Sequence, residues 1–480
     1  MTHPKAGKPV VPREPPVCCE GDNQGLSFHF SIRSECAFSM NKKILNLAIP
    51  NILSNLAIPM LSAVDTAVVG HLDKVSYLGA IAIGSMIFNF IYWAFGFLRM
   101  GTTGMTAQAH GAKNRVETAS VLGRAAVVAA VSALGLVAFQ SWIGDLSFYL
   151  VDGTTEVELF ARQYFDIRIY AAPATLGLYA FHGWFLGMQN AKYPMILAIF
   201  INVVNVILNL LFIYQFGMKS EGVALGTVIA QYSGIILAIV LFRRKYSDYI
   251  PSFDLKRIFD FKKAKEFFTV NLDIFIRTLA LVFAFTFFTA KSAEFGENLL
   301  AVNTILMQLW MFLAYGVDGF AFAAESLVGK YIGAGNPGKL KQVIKYSFIW
   351  ALGFALITSL VYLLFQEPIL RIFTDKPEVI SSALVFIIYV IVSPPINAVC
   401  FIWDGVYIGA TSTAPMRNAM VVSTLIFFLL PFYFLTPIWG NHGLWIALTL
   451  FMISRGVGLS ILSSKNIYGK LNLSIANEAD

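Results

Sequence analysis

Several residues of this chain carry polar or charged chemistry where their neighbours are apolar. Asp65 ends the run Ala57-Ile58-Pro59-Met60-Leu61-Ser62-Ala63-Val64-Asp65, and Pro50 stands further upstream in the same apolar stretch. A proline removes a backbone donor and permits a bend, so Pro50 and Pro59 make this segment bendable. A carboxylate in such a helix can couple its protonation, or its occupancy by a cation, to helix shape. Asn202, Asn205 and Asn209 are spaced i, i+3 and i+7, on one helical face. They can serve as hydrogen-bond glue between helices or supply carbonyl oxygens to a cation. Thr227, in the next apolar run, can add a hydroxyl.

The second half holds another set. Asp273 and Arg277 are i, i+4 and read as a structural ion pair on one face. Asp318 and Glu325 share a face, Asp404 lies in a later run, and Arg99 and Arg455 need counter-charges. With Asp273 and Arg277, Asp318 and Asp404 outline a possible polar site. His182 reads as a satisfied interior group, and Cys400 as a small apolar packing residue.

What must position these groups follows from composition. The chain has 480 residues, 57% hydrophobic and only 13% charged, with a mean hydropathy of +0.68. Soluble domains carry about 25% charged residues. A surface this apolar belongs in lipid, which argues against a soluble enzyme, a nucleic-acid binder or a disordered scaffold. Twelve stretches reach spanning length: Ile44 to Val69, Leu78 to Met100, Val121 to Phe139, Tyr164 to Gly187, Tyr193 to Phe216 and Val223 to Phe242, then Phe267 to Thr289, Leu299 to Ala324, Ile344 to Phe365, Ile380 to Ile408, Met416 to Leu435 and Leu444 to Leu462. None alternates with period two, so helices are expected rather than barrel strands. A charge at mid-bilayer costs about 2.5–3.5 kcal/mol on insertion scales, so each one listed above needs a partner or a purpose.

Charge in the connections alternates. Lys42 and Lys43 precede the first span, Lys113 and Arg115 follow the second, and Lys192 follows the fourth. A basic stretch from Arg243 to Lys265 divides the sixth from the seventh, and Lys339, Lys341, Arg417, Lys465 and Lys470 continue the pattern. The intervening connections are poor in positive charge or acidic. Positive residues stay cytoplasmic, which places both termini inside a plasma membrane. Residues 1–39 are polar and lack an apolar h-region, so they read as a disordered leader.

The chain also contains itself twice. Pro173, Gly183 and Gly187 recur as Pro395, Gly405 and Gly409, each 222 residues later. Gly111-Ala112-Lys113-Asn114 recurs as Gly333-Ala334-Gly335-Asn336 at the same offset. The organisation expected is an N-lobe over 40–245, a linker over 246–262, a C-lobe over 263–466 and a tail over 467–480. Six spans per repeat preserve direction, so the lobes are parallel repeats about an axis along the membrane normal. Two such bundles leave a cleft between them, the architecture of a transporter that rocks.

Five motifs carry a resemblance. The Pro50-to-Asp65 spacing, Gly101-Thr102-Thr103-Gly104-Met105-Thr106-Ala107-Gln108-Ala109 and Gly183-Trp184-Phe185-Leu186-Gly187 resemble the multidrug and toxic compound extrusion (MATE) family. Leu299-Leu300-Ala301-Val302-Asn303 and Asp318-Gly319-Phe320-Ala321-Phe322-Ala323-Ala324-Glu325 are similar to its DinF branch. The resemblance implies a V-shaped pair of six-helix lobes; a monomer that uses no cofactor is expected. It implies export of organic cations, drugs or amphipathic metabolites in exchange for protons or sodium. Asp65 falls where the branch keeps its first-helix acid, and Asn205 and Thr227 match other polar members of that site. Asn209 departs, since many relatives carry Asp there, and at Leu61 some place a Tyr. One carboxylate suits a proton better than a sodium ion, which prefers several oxygens. The alternative is a flippase for lipid-linked precursors, which should line its cleft with several basic residues. A membrane enzyme would want clustered histidines, and the six here are scattered.

Overall fold

The computed structural model describes residues 38–57, 74–151 and 154–469, and among them there is no strand. Asp65, Leu61 and Pro59, with residues 1–37 and 470–480, lie outside the described residues. The first helix, α1, covers 38–57. Next come α2 (Val75–Ala94) and α3 (Gly96–Gly111), separated at Phe95. α4 (Arg115–Ala138) is the third span, and α5 (Gln140–Leu150) is a short connector. The fourth span is α6 (Thr155–Arg168) joined through a 3-10 turn to α7 (Ala172–Gly187). α8 (Lys192–Leu210) runs on as a π-helical turn to Gln215, and α9 (Ser220–Tyr246) closes the first set.

A single short turn, α10 (Leu255–Ile258), sits in the linker. The second set is α11 (Phe261–Ala293), α12 (Glu297–Gly333), α13 (Pro337–Leu364), the short α14 (Gln366–Arg371) and α15 (Pro377–Gly409). It ends with α16 (Thr413–Val422), a π-helical passage into α17 (Leu430–Trp439), and α18 (Asn441–Ser463). Among the described residues ten helices are long and apolar enough to cross a membrane. With α1 and the interrupted α6–α7 span they fill the twelve expected positions. Their outer faces carry Leu134, Leu364, Phe434 and Ile461 at 65–70% exposure. Water would reject that surface and hydrocarbon accepts it.

The repeat seen in the sequence is a repeat of contacts. A Cβ on Gly183 would stand 2.4 Å from Arg99 O, and one on Gly405 2.3 Å from Ala321 O, its counterpart 222 residues on. Gly187 likewise abuts Thr103 O, as Gly409 abuts Glu325 O. Small residues let α7 approach α3, and α15 approach α12, to backbone contact. The turns repeat too: Lys113 and Gly335 have φ of 57° and 60°, and Gln189 and Thr411 have 62° and 48°. Asn114 then caps α4 by accepting from Glu117 N, and Asn336 caps α13 by accepting from Lys339 N.

The two lobes meet through α3 and α12 about that same axis. A Cβ on Gly111 would lie 2.0 Å from Lys330 O, and one on Gly333 would lie 2.0 Å from Gln108 O. Residues 108 and 330 are themselves a repeat pair, so each glycine fits against its partner's counterpart. Gln108 Nε2 donates to Gly409 O at 2.8 Å, Gln189 Nε2 donates to Ser326 O at 2.9 Å, and Ser326 Oγ donates to Leu186 O. All these contacts gather at the end of the bundle that carries Lys113 and Lys339, so the lobes are zipped there. Arg124 fastens the linker to the same end, donating to Arg257 O at 2.9 Å and pairing with Glu117 at 2.9 Å.

Candidate functional site

In the N-lobe, α8 and α9 bring three expected residues together. Asn205 Nδ2 donates to Thr227 Oγ1 at 3.0 Å, and Asn209 Nδ2 donates to Asn205 Oδ1 at 3.1 Å. Thr227 Oγ1 in turn donates to Val223 O at 2.9 Å. Asn205 and Asn209 are 2% and 1% exposed, which for amides on a membrane helix demands such partners. Gly226 permits the approach, since a Cβ there would stand 2.3 Å from Asn209 Oδ1. Asn202, on the same helix face, donates instead to Ala57 O at 3.1 Å. That bond ties α8 to the last described residue of α1, the helix in which Pro50 is buried. The proposed partner of this cluster, Asp65, and the second bending residue, Pro59, lie outside the described residues.

The C-lobe cluster is charged where the described N-lobe cluster of amides and a hydroxyl is neutral. Asp404 Oδ2 accepts from Arg277 Nη2 and from Arg455 Nη2, the latter at 2.7 Å. Exposures of 5%, 6% and 1% put all three groups in the interior. Two guanidinium groups on one carboxylate make a buried triad that holds α11, α15 and α18 together. Arg455 Nη1 also reaches Met452 Sδ at 3.1 Å.

The expected pair of Asp273 with Arg277 does not form. Asp273 accepts from Thr413 Oγ1 at 2.8 Å and from Arg417 Nη1 at 2.6 Å, both on α16. The i, i+4 rule describes neighbours on a helix in water. In a packed bundle, partners on facing helices compete for the same groups. Here Asp404 claims Arg277, while α16 satisfies Asp273. Arg455 finds its counter-charge in Asp404.

Arg99 takes a different course. It lies on α3 at the lobe interface, with its guanidinium carbon 4.0 Å from the centre of the Phe322 ring on α12. Asp318 and Glu325, one turn to either side of Phe322, both lie within Coulombic reach of Arg99. Glu325 is 1% exposed and its Oε1 has no partner among the described residues. Asp318 is half-buried and apart from the triad's hydrogen bonds. The role of Phe322 was not legible, because a phenylalanine on an apolar helix carries no signal of the cation it faces.

The MatE family matches residues 50–211 and again 274–433, once in each repeat. DNA damage-inducible protein F of Escherichia coli (strain K12) is 36% identical over 425 residues, covering 88% of this chain and 92% of that protein. Protein DETOXIFICATION 44, chloroplastic, of Arabidopsis thaliana is 29% identical over 434 residues, 86% of this chain and 80% of the relative. In fold, the chain is similar to the Vibrio cholerae MATE transporter VcmN in its bent form, with a TM-score of 0.80 at 20% identity over 91% of this chain and 99% of that one. The chain therefore belongs to the MATE family of multidrug and toxic compound efflux transporters, with a DinF protein among its relatives.

Proposed function

We propose that this protein is a proton-driven antiporter that exports organic cations, drugs or amphipathic metabolites, with coupling in the N-lobe. The observation that carries the choice of lobe is the contrast between the two polar clusters. Asp404 already holds two arginines of its own lobe, so its charge is spent inside the protein. The N-lobe cluster offers amide and hydroxyl oxygens, and Asn202 on the same helix face reaches Ala57 of α1, eight residues before Asp65 in the sequence. With Asn at 209, Asp65 is the single acid assigned to that site, which favours a proton over sodium. The basic end, where the lobes are zipped, is read as cytoplasmic, with both termini inside a plasma membrane. On that reading the structure is closed inward.

In this scheme Asp65 takes a proton from outside, the proline-bearing first helix bends, and substrate is displaced from the N-lobe. The lobes then rock, and inward opening releases the proton and admits new substrate. The proton can drive the cycle only by binding the two states with different affinity. Membrane potential biases it by about 2.3 kcal/mol per charge for each 100 mV. The test is dye-reported pH-gradient collapse in energised inverted vesicles, on adding cationic drugs with and without sodium. Collapse independent of sodium and absent in Asp65→Asn is expected. A response that needs sodium, or one that survives in a well-folded Asp65→Asn, overturns the assignment. Silence toward every drug would favour lipid-linked substrates instead.

A further inference from the structure

The lobe crossing buries an acid that neither polar cluster uses. Glu325 of α12 is 1% exposed, and its Oε1 has no partner among the described residues. It stands inside the zipped region: its neighbour Ser326 donates across to Leu186 O, and its own carbonyl abuts Gly409. The side chain faces Thr103 on α3, its repeat counterpart 222 residues earlier. Thr103 Oγ1 has one proton and donates it to Arg99 O at 2.9 Å. What it offers Glu325 is a lone pair, to which a carboxylic acid can donate and a carboxylate cannot.

Among the described residues Arg99 is the one cation acting on Glu325, and it is engaged elsewhere. Its guanidinium lies over the Phe322 ring, and its Nη1 has no partner among the described residues. Asp318 acts on Glu325 as a like charge from the same helix. On the other side of Arg99, α7 brings His182 and Tyr179. Arg277 of α11, Asp404 of α15 and Arg455 of α18 act on Asp318 and not on Glu325. Among the described residues, α1 and α13 bring Glu325 no charge.

Packing does not demand this acid. The counterparts of Arg99, Phe322 and Glu325 are Ala321, Met100 and Thr103, all uncharged. Yet Gly187 abuts Thr103 O as Gly409 abuts Glu325 O. A carboxylate sealed from water without a donor is far costlier than the neutral acid. Parting α3 from α12 would bring water to it.

We propose that Glu325 is a proton-binding site of the lobe crossing, filled while the crossing is closed and emptied to water when it opens. Resting on the rocking cycle proposed above, this site adds a second proton to the one assigned to Asp65. Linkage fixes the sign. The closed state binds the proton, so acid favours the closed crossing and rising pH favours the open one.

The test measures the distance between spin labels on cysteines introduced at Arg115 and Lys341, exposed positions on opposite lobes beside the crossing. It uses the full chain in detergent, with no drug and no gradient. Cys18, Cys19 and Cys36 are changed to Ser, and Cys400, fully buried, stays. From about pH 5 to about pH 9 the long-distance population should grow at the expense of the short one. The ratio should rise by at most about tenfold per pH unit, the limit for one proton. Glu325→Gln should hold the short distance throughout, and Glu325→Asp should restore the pH dependence. Asp65→Asn should leave that dependence in place, which separates this site from coupling through Asp65. Distances that ignore pH in the parent, or a Glu325→Gln protein that follows pH as the parent does, overturn the proposal. So does a dependence lost only in Asp65→Asn, which would leave drug–proton exchange standing without this site.

Discussion

The two lobes share a backbone plan and differ in what they bury. At the offset that matches Gly183 to Gly405, His182 corresponds to Asp404 and Asn55 to Arg277. Where the C-lobe has a carboxylate clamped by two arginines, the N-lobe has neutral groups at the equivalent positions. Asn55 there simply donates to Tyr315 O at 3.2 Å. The N-lobe carries on its α8–α9 pair a chain of amides and a hydroxyl. The backbones differ at one matching point as well. α12 runs unbroken through Val317 and Asp318, whereas the counterparts Phe95 and Gly96 mark the break between α2 and α3. A duplicated scaffold has thus kept its packing contacts while one half became an ion-paired core and the other, among the described residues, links amides and a hydroxyl on α8 and α9.

The largest effect should come from breaking the triad. Asp404→Asn leaves Arg277 and Arg455 buried beside a neutral amide, and loss of one partner of a buried pair costs about 3–5 kcal/mol. The unfolding midpoint in detergent should fall by several degrees, and expression should fall with it. Arg277→Met should cost much less, because Arg455 remains paired with Asp404 at 2.7 Å. If Asp404→Asn kept its midpoint and lost only transport, the triad would be a coupling site and the contrast between lobes would collapse.

Second in size is the lobe crossing. Gly111→Ala and Gly333→Ala each place a methyl 2.0 Å from a carbonyl oxygen of the other lobe. Overpacking of this kind costs about 1–3 kcal/mol. The pseudo-two-fold arrangement makes a sharper claim, that the two substitutions act alike. Both should raise the reactivity of a reporter cysteine introduced at Gln189 toward a thiol reagent from the basic side. Unequal effects would show that the crossing is not governed by the shared axis.

How much of this was legible in the sequence depends on whether the information is local. The repeat could be read because Gly183, Gly187, Gly405 and Gly409 must stay small where helices touch, and that need leaves a residue type behind. Spans could be read from apolar runs of sufficient length. Ion-pair partners could not, since Asp404 meets Arg277 from 127 residues away through helix packing that no spacing rule encodes. Proximity along one helix suggested Asp273 for Arg277, and α16 took Asp273 instead. The break at Phe95 was hidden for a related reason. It interrupts the helix without interrupting the apolar run, and only Gly96 hints at it. In the N-lobe the i, i+3, i+7 asparagine face was visible, yet its division into an inner pair and a tether to α1 depends on where α9 and α1 pack.

Third, the N-lobe chain should respond in function more than in stability. Asn205→Leu removes the donor to Thr227 and the acceptor of Asn209, two hydrogen bonds worth about 1 kcal/mol each. The protein should stay folded, with a modest drop in midpoint, while drug-induced collapse of the pH gradient is largely lost. Asn209→Asp tests the same cluster in the opposite sense. A second carboxylate favours a metal cation over a lone proton, so transport should become sodium-responsive. If neither substitution changes ion coupling, the cluster is packing glue and the two lobes differ in chemistry without differing in role.

The smallest effect isolates one link of that chain. Thr227→Val keeps the shape of the side chain and deletes the hydroxyl that accepts from Asn205 and donates to Val223 O. The loss should be near 1 kcal/mol, because one amide donor is left to find another acceptor. Thr227→Ser restores the hydroxyl without the methyl and should recover both midpoint and coupling. Rescue by Ser but not by Val would place the effect in the hydrogen bond. Failure of Ser would place it in the methyl contact, and the α8–α9 chain would then owe its order to packing, as the α3–α12 crossing does.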